Sequence, residues 1–484
     1  MKRGDKLELN IVKYAFEGKG IAKVKRTDII SSQNDETSNN DRDNYIIFVH
    51  GTYPGDRVLA QLTKIKKSYA EAKTVELITP SSIRIKPPCK YFGTCGGCKQ
   101  QDIGYGIQLL YKEQYVKESF GHIGGLKDYI LEKIIPSENI FYYRNKMEFS
   151  FADRKWLNKD EIGKDNLPDK NFALGLHIPR IYDKVLDIEE CFLQSERSNE
   201  ILNLTRTFFK ERGATIYSTK THKGYLRNLV IRQTTNTKDL MVNLVTSEEN
   251  DRAMMDYVTG LTKSIPRLIT VINNINIKKA SVAVGDYEKI FYGDGFIYDT
   301  IGDYKFRISA NSFFQTNTLQ AENLYKTALE FADLKGNEIV YDLYSGTGTI
   351  AIYLSDKAEK IYGFESVESA VTDANENAKI NNVQNVEFMK ADLHKSFMPL
   401  IKNKKVPYPE VIIIDPPRSG MHKNTVNDVI SLNPGRIVYV SCNPATQARD
   451  VKVLADAGYK LSRMRPVDMF PHTYHIENVA LLYK

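Results

Sequence analysis

Cys442 is the residue whose type and setting point most directly to chemistry. It stands in Ser441-Cys442-Asn443-Pro444, just after the apolar run RIVYV. Such a run reads as a buried strand, and the Asn-Pro that follows turns the chain at its carboxyl end. A structural cysteine is the ordinary alternative, since free cysteines are common inside sheets. Its place in a turn, outside the apolar run, favours a reactive thiol. Asp415 ends a similar run, VIIID, in Asp415-Pro416-Pro417-Arg418. Open α/β sheets bind ligands at the carboxyl ends of their strands, so Asp415 and Cys442 are expected on one edge. Glu477 closes Pro471-His472-Thr473-Tyr474-His475-Ile476-Glu477 and starts the final apolar run. There a carboxylate can act as a positioned general base, although an acid before a strand is more often a solvated surface residue. His472 and His475 lack a companion carboxylate at metal-binding spacing, which argues against a metal there. His472 is the second candidate for a base.

The segment IVYDLYSGTGTIAIYL reads as strand, glycine turn and helix. Gly346 and Gly348 let the backbone approach a ligand at the helix start. Asp342 ends the first strand. Glu365 ends the next, KIYGFE, 19 residues after Gly346, where a carboxylate suits ribose hydroxyls. Asp392 follows the third strand. The turn DLYSGTGT is not G-x-G-x-x-G, and it opens a domain with a late DPP motif. Both features favour S-adenosylmethionine over a nicotinamide dinucleotide. A glycine needed only for a tight turn is the plain alternative.

Four further cysteines are Cys89, Cys95, Cys98 and Cys191. Three lie together as C-x5-C-x2-C, and Cys191 follows after 92 intervening residues. Four plus one suggests a tetrahedral metal site and a separate single thiol. From spacing alone, zinc and a [4Fe–4S] cluster are both open.

The elements that must position these groups fall into three parts. Residues 1–78 alternate like short strands separated by Gly and Pro-Gly turns, as in a small all-β barrel. Within them, 27–44 is polar and reads as a loop. Residues 79–317 read as a central α+β domain. It contains a Cys/Gly/Pro-rich loop at 87–101, a helix over 107–120, mainly strands from about 140 to 310, and one helical stretch near 195–212. From 318 to 484 strands alternate with helices, which implies a doubly wound, Rossmann-like sheet.

The 484 residues suffice for about three domains and carry a net charge of +7. Residues 1–99 hold 18 Lys/Arg against 11 Asp/Glu, or 17 against 6 without the stretch 28–43. A basic front module suits a polyanion such as nucleic acid; a solvated lysine-rich surface is the bland alternative. No apolar run is long enough to span a membrane, and MKRGDKLELN lacks a signal-peptide core. A cytoplasmic protein without a membrane partner is expected, and reduced thiols fit that setting.

SCNP, DPPR, PHTYHIE and NSFFQTN (residues 311–317) together resemble the RNA uridine-5-methyltransferase family of ribosomal and transfer RNA enzymes. The resemblance covers nearly the whole chain. It implies a front barrel of TRAM type and a C-terminal class I methyltransferase domain. It makes Cys442 the nucleophile and Glu477 the base. Gln315, Tyr344, Glu365 and Asp415 become S-adenosylmethionine contacts beside Gly346 and Asp392, with Tyr344 where such enzymes often carry Phe. The four cysteines become ligands of a [4Fe–4S] cluster that clamps the 87–101 loop.

This implied chemistry explains the residue types. Carbon 5 of uracil is a poor nucleophile. A thiolate adding at carbon 6 makes it electron-rich, and cysteine is the most nucleophilic ordinary side chain. A carboxylate must then take the carbon-5 proton so that the thiol can leave. The base must also be extruded from its RNA structure. The expected partner is RNA, with 23S ribosomal RNA ahead of transfer RNA, and a monomer is expected. Two other readings compete. A catalytically silent RNA-binding or ribosome-assembly factor would have been favoured by loss of Cys442 or Glu477, and both are present. A radical enzyme needs an open iron ligated by three close cysteines, and here a fourth would fill that position.

Overall fold

The computed structural model describes residues 1–25, 44–157, 161, 170–179, 181–279 and 283–484. The polar stretch read as a loop over 27–44 therefore lies outside the described residues, apart from Asn44. The chain divides into two units. Met1–Phe92, Cys98–Tyr115 and Pro471–Tyr474 form the first; Gly93–Gly97, Val116–Phe470 and His475–Lys484 form the second.

The first unit is built on a six-stranded sheet. Its order is Lys6–Asn10, Arg57–Ile65, Tyr69–Thr79, Asn44–His50, Lys19–Lys25 and Lys13–Ala15. Alternate residues of Asn44–His50 and Arg57–Ile65 point inward, as period-two patterning requires. Ile47, Val49, Val58, Ala60, Leu62, Ala70 and Ala72 fill the core. A polar and aromatic layer covers one end. Tyr14 stacks on Tyr111 with ring centroids 4.2 Å apart. Arg84 bridges Asp56 and Asp102, and the Tyr53 hydroxyl donates to Asp102 at 2.7 Å.

The second unit holds two large sheets. One has seven strands in the order Ile181–Asp187, Ala173–Ile178, Lys146–Ala152, Leu226–Gln233, Leu240–Thr246, Leu268–Ile275 and Tyr287–Tyr292. The helix expected near 195–212 is Glu196–Glu211, capped by Ser195. A second helix, Asp251–Ser264, was not anticipated in this strand-rich region. Its buried Met254, Tyr257, Val258 and Leu261 repeat at helical spacing behind an Asn250 cap. This one-sided stripe is a helical signal, not a strand signal.

The other sheet has eight strands. The order is Val386–Lys390, Lys360–Glu365, Ile339–Leu343, Val411–Ile414, Arg436–Ser441, Glu477–Tyr483, Lys460–Val467 and Ile130–Leu131. The first five are parallel to one another, and Glu477–Tyr483 runs antiparallel to both its neighbours. Strand order reverses between Ile339–Leu343 and Val411–Ile414, where doubly wound sheets open a ligand crevice. Val340, Ile361, Val411, Ile413, Val438 and Val479 share one continuous core with the helix Thr318–Ala332. Among the described residues, no helix is long and apolar enough to cross a membrane.

Candidate active site

Strand register places the two candidate residues, Cys442 and Glu477, at neighbouring strand ends. Ser441 pairs with Asn478 in the antiparallel ladder. Cys442 follows Ser441 in the bend that leaves the ladder and Glu477 precedes Asn478, so the two are close enough for the Glu477 charge to act on the thiol. A side-chain lock fixes this register. Asn478 donates to Gln447 Oε1 at 2.8 Å, and Gln447 Nε2 donates to the carbonyls of Tyr439 and Asn478 at 2.7 and 3.1 Å. The turn after Cys442 is tied down as well. Asn443 caps the helix Pro444–Asp456 and donates to the Arg418 carbonyl at 3.0 Å; Thr446 donates to the same carbonyl at 3.2 Å. The loop after Asp415 is thereby stapled to the loop after Cys442.

The electrostatics are those of several acids in little water. Burial raises Asp415 to about 7. Burial, and next the Asp415 charge, hold Glu477 well above the ordinary range, while Arg418 opposes them. Burial pushes the Cys442 thiol up to about 12; Glu477 and Asp415 add to this and Arg418 counters it. Asp342 is 1% exposed, and among the described residues neither of its carboxylate oxygens has a partner within hydrogen-bonding geometry. Burial and then Asp415 raise it too, against a weaker pull from the Ala351 N–H. A cationic ligand in this crevice would ease all four groups. Arg418 was not among the expected site residues, whereas Asp342 was read as the carboxylate at the end of the strand before the glycine turn. Arg418 stood in the DPPR motif, and Asp342 is the penultimate residue of the strand Ile339–Leu343 before the glycine turn.

The glycine turn is built as its sequence implies. Tyr344, Gly346 and Gly348 all have left-handed backbone, with φ of 66°, 53° and 78°. Glu365 reaches across: Gly346 N–H donates to Oε2 at 3.0 Å, while the Ser366 and Val367 N–H groups donate to Oε1 at 2.7 and 2.9 Å. Tyr344 is held by burial, with its hydroxyl against Thr425 and the backbone of His422. Gln315 is 9% exposed, and its carbonyl accepts from Asn145 at 2.8 Å. The carbonyl of exposed Phe313, two residues earlier, accepts from Thr347 at 3.3 Å, joining that loop to the glycine turn. Asp392 is exposed, accepts from His394 N–H at 3.1 Å and pairs with Lys395 at 3.2 Å.

A Cβ added at Gly348 would lie 2.5 Å from Phe388 and 3.0 Å from Ala374, whereas one at Gly346 meets nothing within 4 Å. Gly348→Ala should therefore cost about 1–3 kcal/mol of overpacking in addition to left-handed strain, and Gly346→Ala only the strain of about 1 kcal/mol. Thermal unfolding should show the larger fall in Tm for Gly348→Ala. Equal falls would mean that crowding at Phe388 is relieved elsewhere.

The four expected metal ligands are Cys89, Cys95 and Cys98, all partly exposed, and buried Cys191. Gln101 Nε2 donates to Cys98 Sγ at 3.1 Å while its oxygen accepts from Cys89 N–H at 3.3 Å. Gly97 N–H donates to Cys95 Sγ at 3.4 Å. Such donors suit thiolate sulfur. Among the described residues, however, no group of three or more His, Cys, Asp or Glu side chains is gathered so as to hold a metal ion.

The model of the tRNA (uracil-5-)-methyltransferase family matches residues 233–484, and that of the TRAM domain matches residues 1–75. The chain belongs to the tRNA (uracil-5-)-methyltransferase family. An "uncharacterized RNA methyltransferase" of Chlorobaculum tepidum is 44% identical over 88% of this chain and 89% of its own length. One of the same description from Bacteroides thetaiotaomicron is 40% identical over 97% and 99%. Among solved structures, the tRNA (uracil-54, C5)-methyltransferase of Pyrococcus abyssi in complex with S-adenosyl-L-homocysteine is 30% identical. It covers 98% of this chain and 100% of its own, with a TM-score of 0.73. As a family member the chain is an S-adenosylmethionine-dependent RNA uracil-C5 methyltransferase, and the front barrel is a TRAM domain.

Proposed function

We propose that the chain methylates a uridine through a covalent bond between Cys442 and carbon 6, which Glu477 resolves. The observation that carries this reading is the Ser441–Asn478 pair, which brings Cys442 and Glu477 to neighbouring strand ends, where the Glu477 charge acts on the thiol. Gln315, Tyr344, Gly346, Glu365, Asp392 and Asp415 hold S-adenosylmethionine, which when bound supplies the methyl group. Buried Asp342 and half-buried Asp415, with Glu365 at the next strand end, suit a cationic donor. Arg418 favours the ionised forms of Cys442 and Glu477. Burial favours the protonated form of Glu477, so Arg418 and a cationic donor would have to keep it ionised for it to take the carbon-5 proton.

The target is 23S ribosomal RNA, because the TRAM domain and the cysteine set resemble the ribosomal branch. A transfer RNA target is the second reading, favoured by the substrate of the Pyrococcus abyssi relative. Methyl label from the donor should enter purified, unmodified 23S ribosomal RNA at least about tenfold faster than transfer RNA. The reverse ratio would establish the second reading.

Cys89, Cys95, Cys98 and Cys191 bind one [4Fe–4S] cluster, supported by their number, their pattern and the amide donors to Cys95 and Cys98. Anaerobically purified protein should be brown with about four irons per chain, and Cys191→Ser should lose iron and solubility. Stoichiometric zinc without iron would reject this.

A further inference from the structure

We propose that the cavity between the helices Lys423–Leu432 and Pro444–Asp456 holds a nucleotide of the RNA that flanks the target uridine. This rests on the chain's being an RNA methyltransferase and is independent of the roles given to Cys442 and Glu477. The cavity measures about 570 Å³, a size that suits one nucleotide. It lies wholly within the second unit. One wall is the segment 419–423, which continues directly from Arg418. The Arg418 charge acts on both Cys442 and Glu477. An RNA strand that places a uridine there therefore passes the mouth of the cavity on its way out.

The lining carries a surplus of positive charge. Lys423 is exposed and, among the described residues, has no hydrogen-bond or ion-pair partner. Arg449 directs Nε and Nη2 to Asp450 at 2.8 and 2.7 Å, and Nη2 also donates to the Ser419 carbonyl at 3.0 Å. Its Nη1 group remains available. Asp450 is the one acid in the lining and is 3% exposed. Its Oδ2 already accepts from Met421 N–H at 2.8 Å and from the Tyr439 hydroxyl at 2.7 Å. His422 Nδ1 accepts from Asn424 N–H at 3.3 Å, so in the neutral ring Nε2 carries the proton and can donate. The exposed His394 ring stands beside it, with centroids 5.4 Å apart. Buried Met421 and Val426 add apolar surface. The wall is built to hold its shape: Gly420 has φ 77°, and a Cβ there would lie 2.5 Å from Arg449 Nη2 and 2.6 Å from Asp450 Oδ2. Free cations for a phosphate beside flat rings for a base are the means by which proteins hold an unstacked nucleotide. The phosphate meets Lys423 and Arg449, and the base meets His394 and His422.

The test measures binding of the full-length chain to an RNA transcript that it methylates, over a range of salt concentrations. Lys423→Glu reverses the charge in the cavity, and a glutamate in the first turn of a helix suits the helix dipole, so the fold should hold. Lys460→Glu makes the same reversal at the opposite end of the sheet, where Lys460 and Arg436 both pair with Tyr483. Lys423→Glu should weaken RNA binding at least about tenfold and flatten the slope of log affinity against log salt by about 1, as loss of one phosphate contact requires. His394→Ala should weaken binding about fivefold or more with the slope unchanged, as loss of a stacking partner requires. Both variants should bind S-adenosylmethionine as the parent chain does and keep the single-turnover rate at saturating RNA within about threefold. If Lys423→Glu fails to bind the donor, Lys423→Gln takes its place under the same slope criterion. An RNA affinity and slope equal to the parent's would overturn the proposal. So would equal losses in Lys423→Glu and Lys460→Glu, which would belong to net charge and not to the cavity.

Discussion

Cys442→Ala should abolish methylation, by about 10^4-fold or more, and form no covalent RNA complex, while S-adenosylmethionine binding persists. The thiol occupies a partly exposed turn beyond the strand Arg436–Ser441, so its removal leaves no large cavity in the core. The donor-binding groups belong to other strands and turns, and Glu365 keeps its three backbone donors. What disappears is the atom proposed to add to carbon 6. Because burial and two carboxyl groups push the thiol up to about 12, the resting side chain is protonated at neutral pH, and the thiolate has to be generated in the loaded site. Cys442→Ser should fail almost as completely, since a hydroxyl gives up its proton still less readily. Single-turnover label transfer, alongside calorimetric binding of the donor, checks both. Methylation retained at more than about 1% would remove Cys442 from the nucleophile's role.

Glu477→Gln should transfer one methyl group and then stay attached to methylated RNA through Cys442. Glutamine preserves the size of the side chain but cannot accept the carbon-5 proton, and without that step the carbon–sulfur bond cannot break. Turnover should fall by about 10^2- to 10^4-fold. The adduct should survive a denaturing gel and carry label from the methyl donor, and Cys442→Ala combined with Glu477→Gln should show none. Because burial favours the protonated form of Glu477, the carboxylate has to be ionised in the loaded site, with Arg418 favouring that form, before it can take the carbon-5 proton. Normal turnover, or a block before methyl transfer, would shift the role to another group, with His472 the next candidate by sequence.

Much of the architecture is legible in the chain because it is written in local patterns. Inward residues at every second position marked the strands Asn44–His50 and Arg57–Ile65. The Tyr344–Gly348 turn needed left-handed backbone at its glycines and has it. The helix read over 107–120 is Tyr105–Ser119. Asp251–Ser264 escaped because its four buried residues are diluted by ten others within a strand-rich stretch, and only their spacing signals a helix.

Local patterns supplied the inventory: a reactive cysteine after a strand, acids at strand ends, a glycine turn, and motifs in an order that pointed to the family. They could do so because turns, caps and alternation depend on neighbours a few residues apart. That Glu477 comes within electrostatic reach of Cys442 is of another kind. It rests on the pairing of Ser441 with Asn478, two residues far apart in the chain whose register no local pattern encodes. The same holds for Gln447, which locks that register, and for Gln108, which grips His472. Nothing in the sequence around either residue singles it out. Only burial beside distant backbone groups turns their amides into fixed partners, because a hydrogen bond shielded from water is costly to leave unmade.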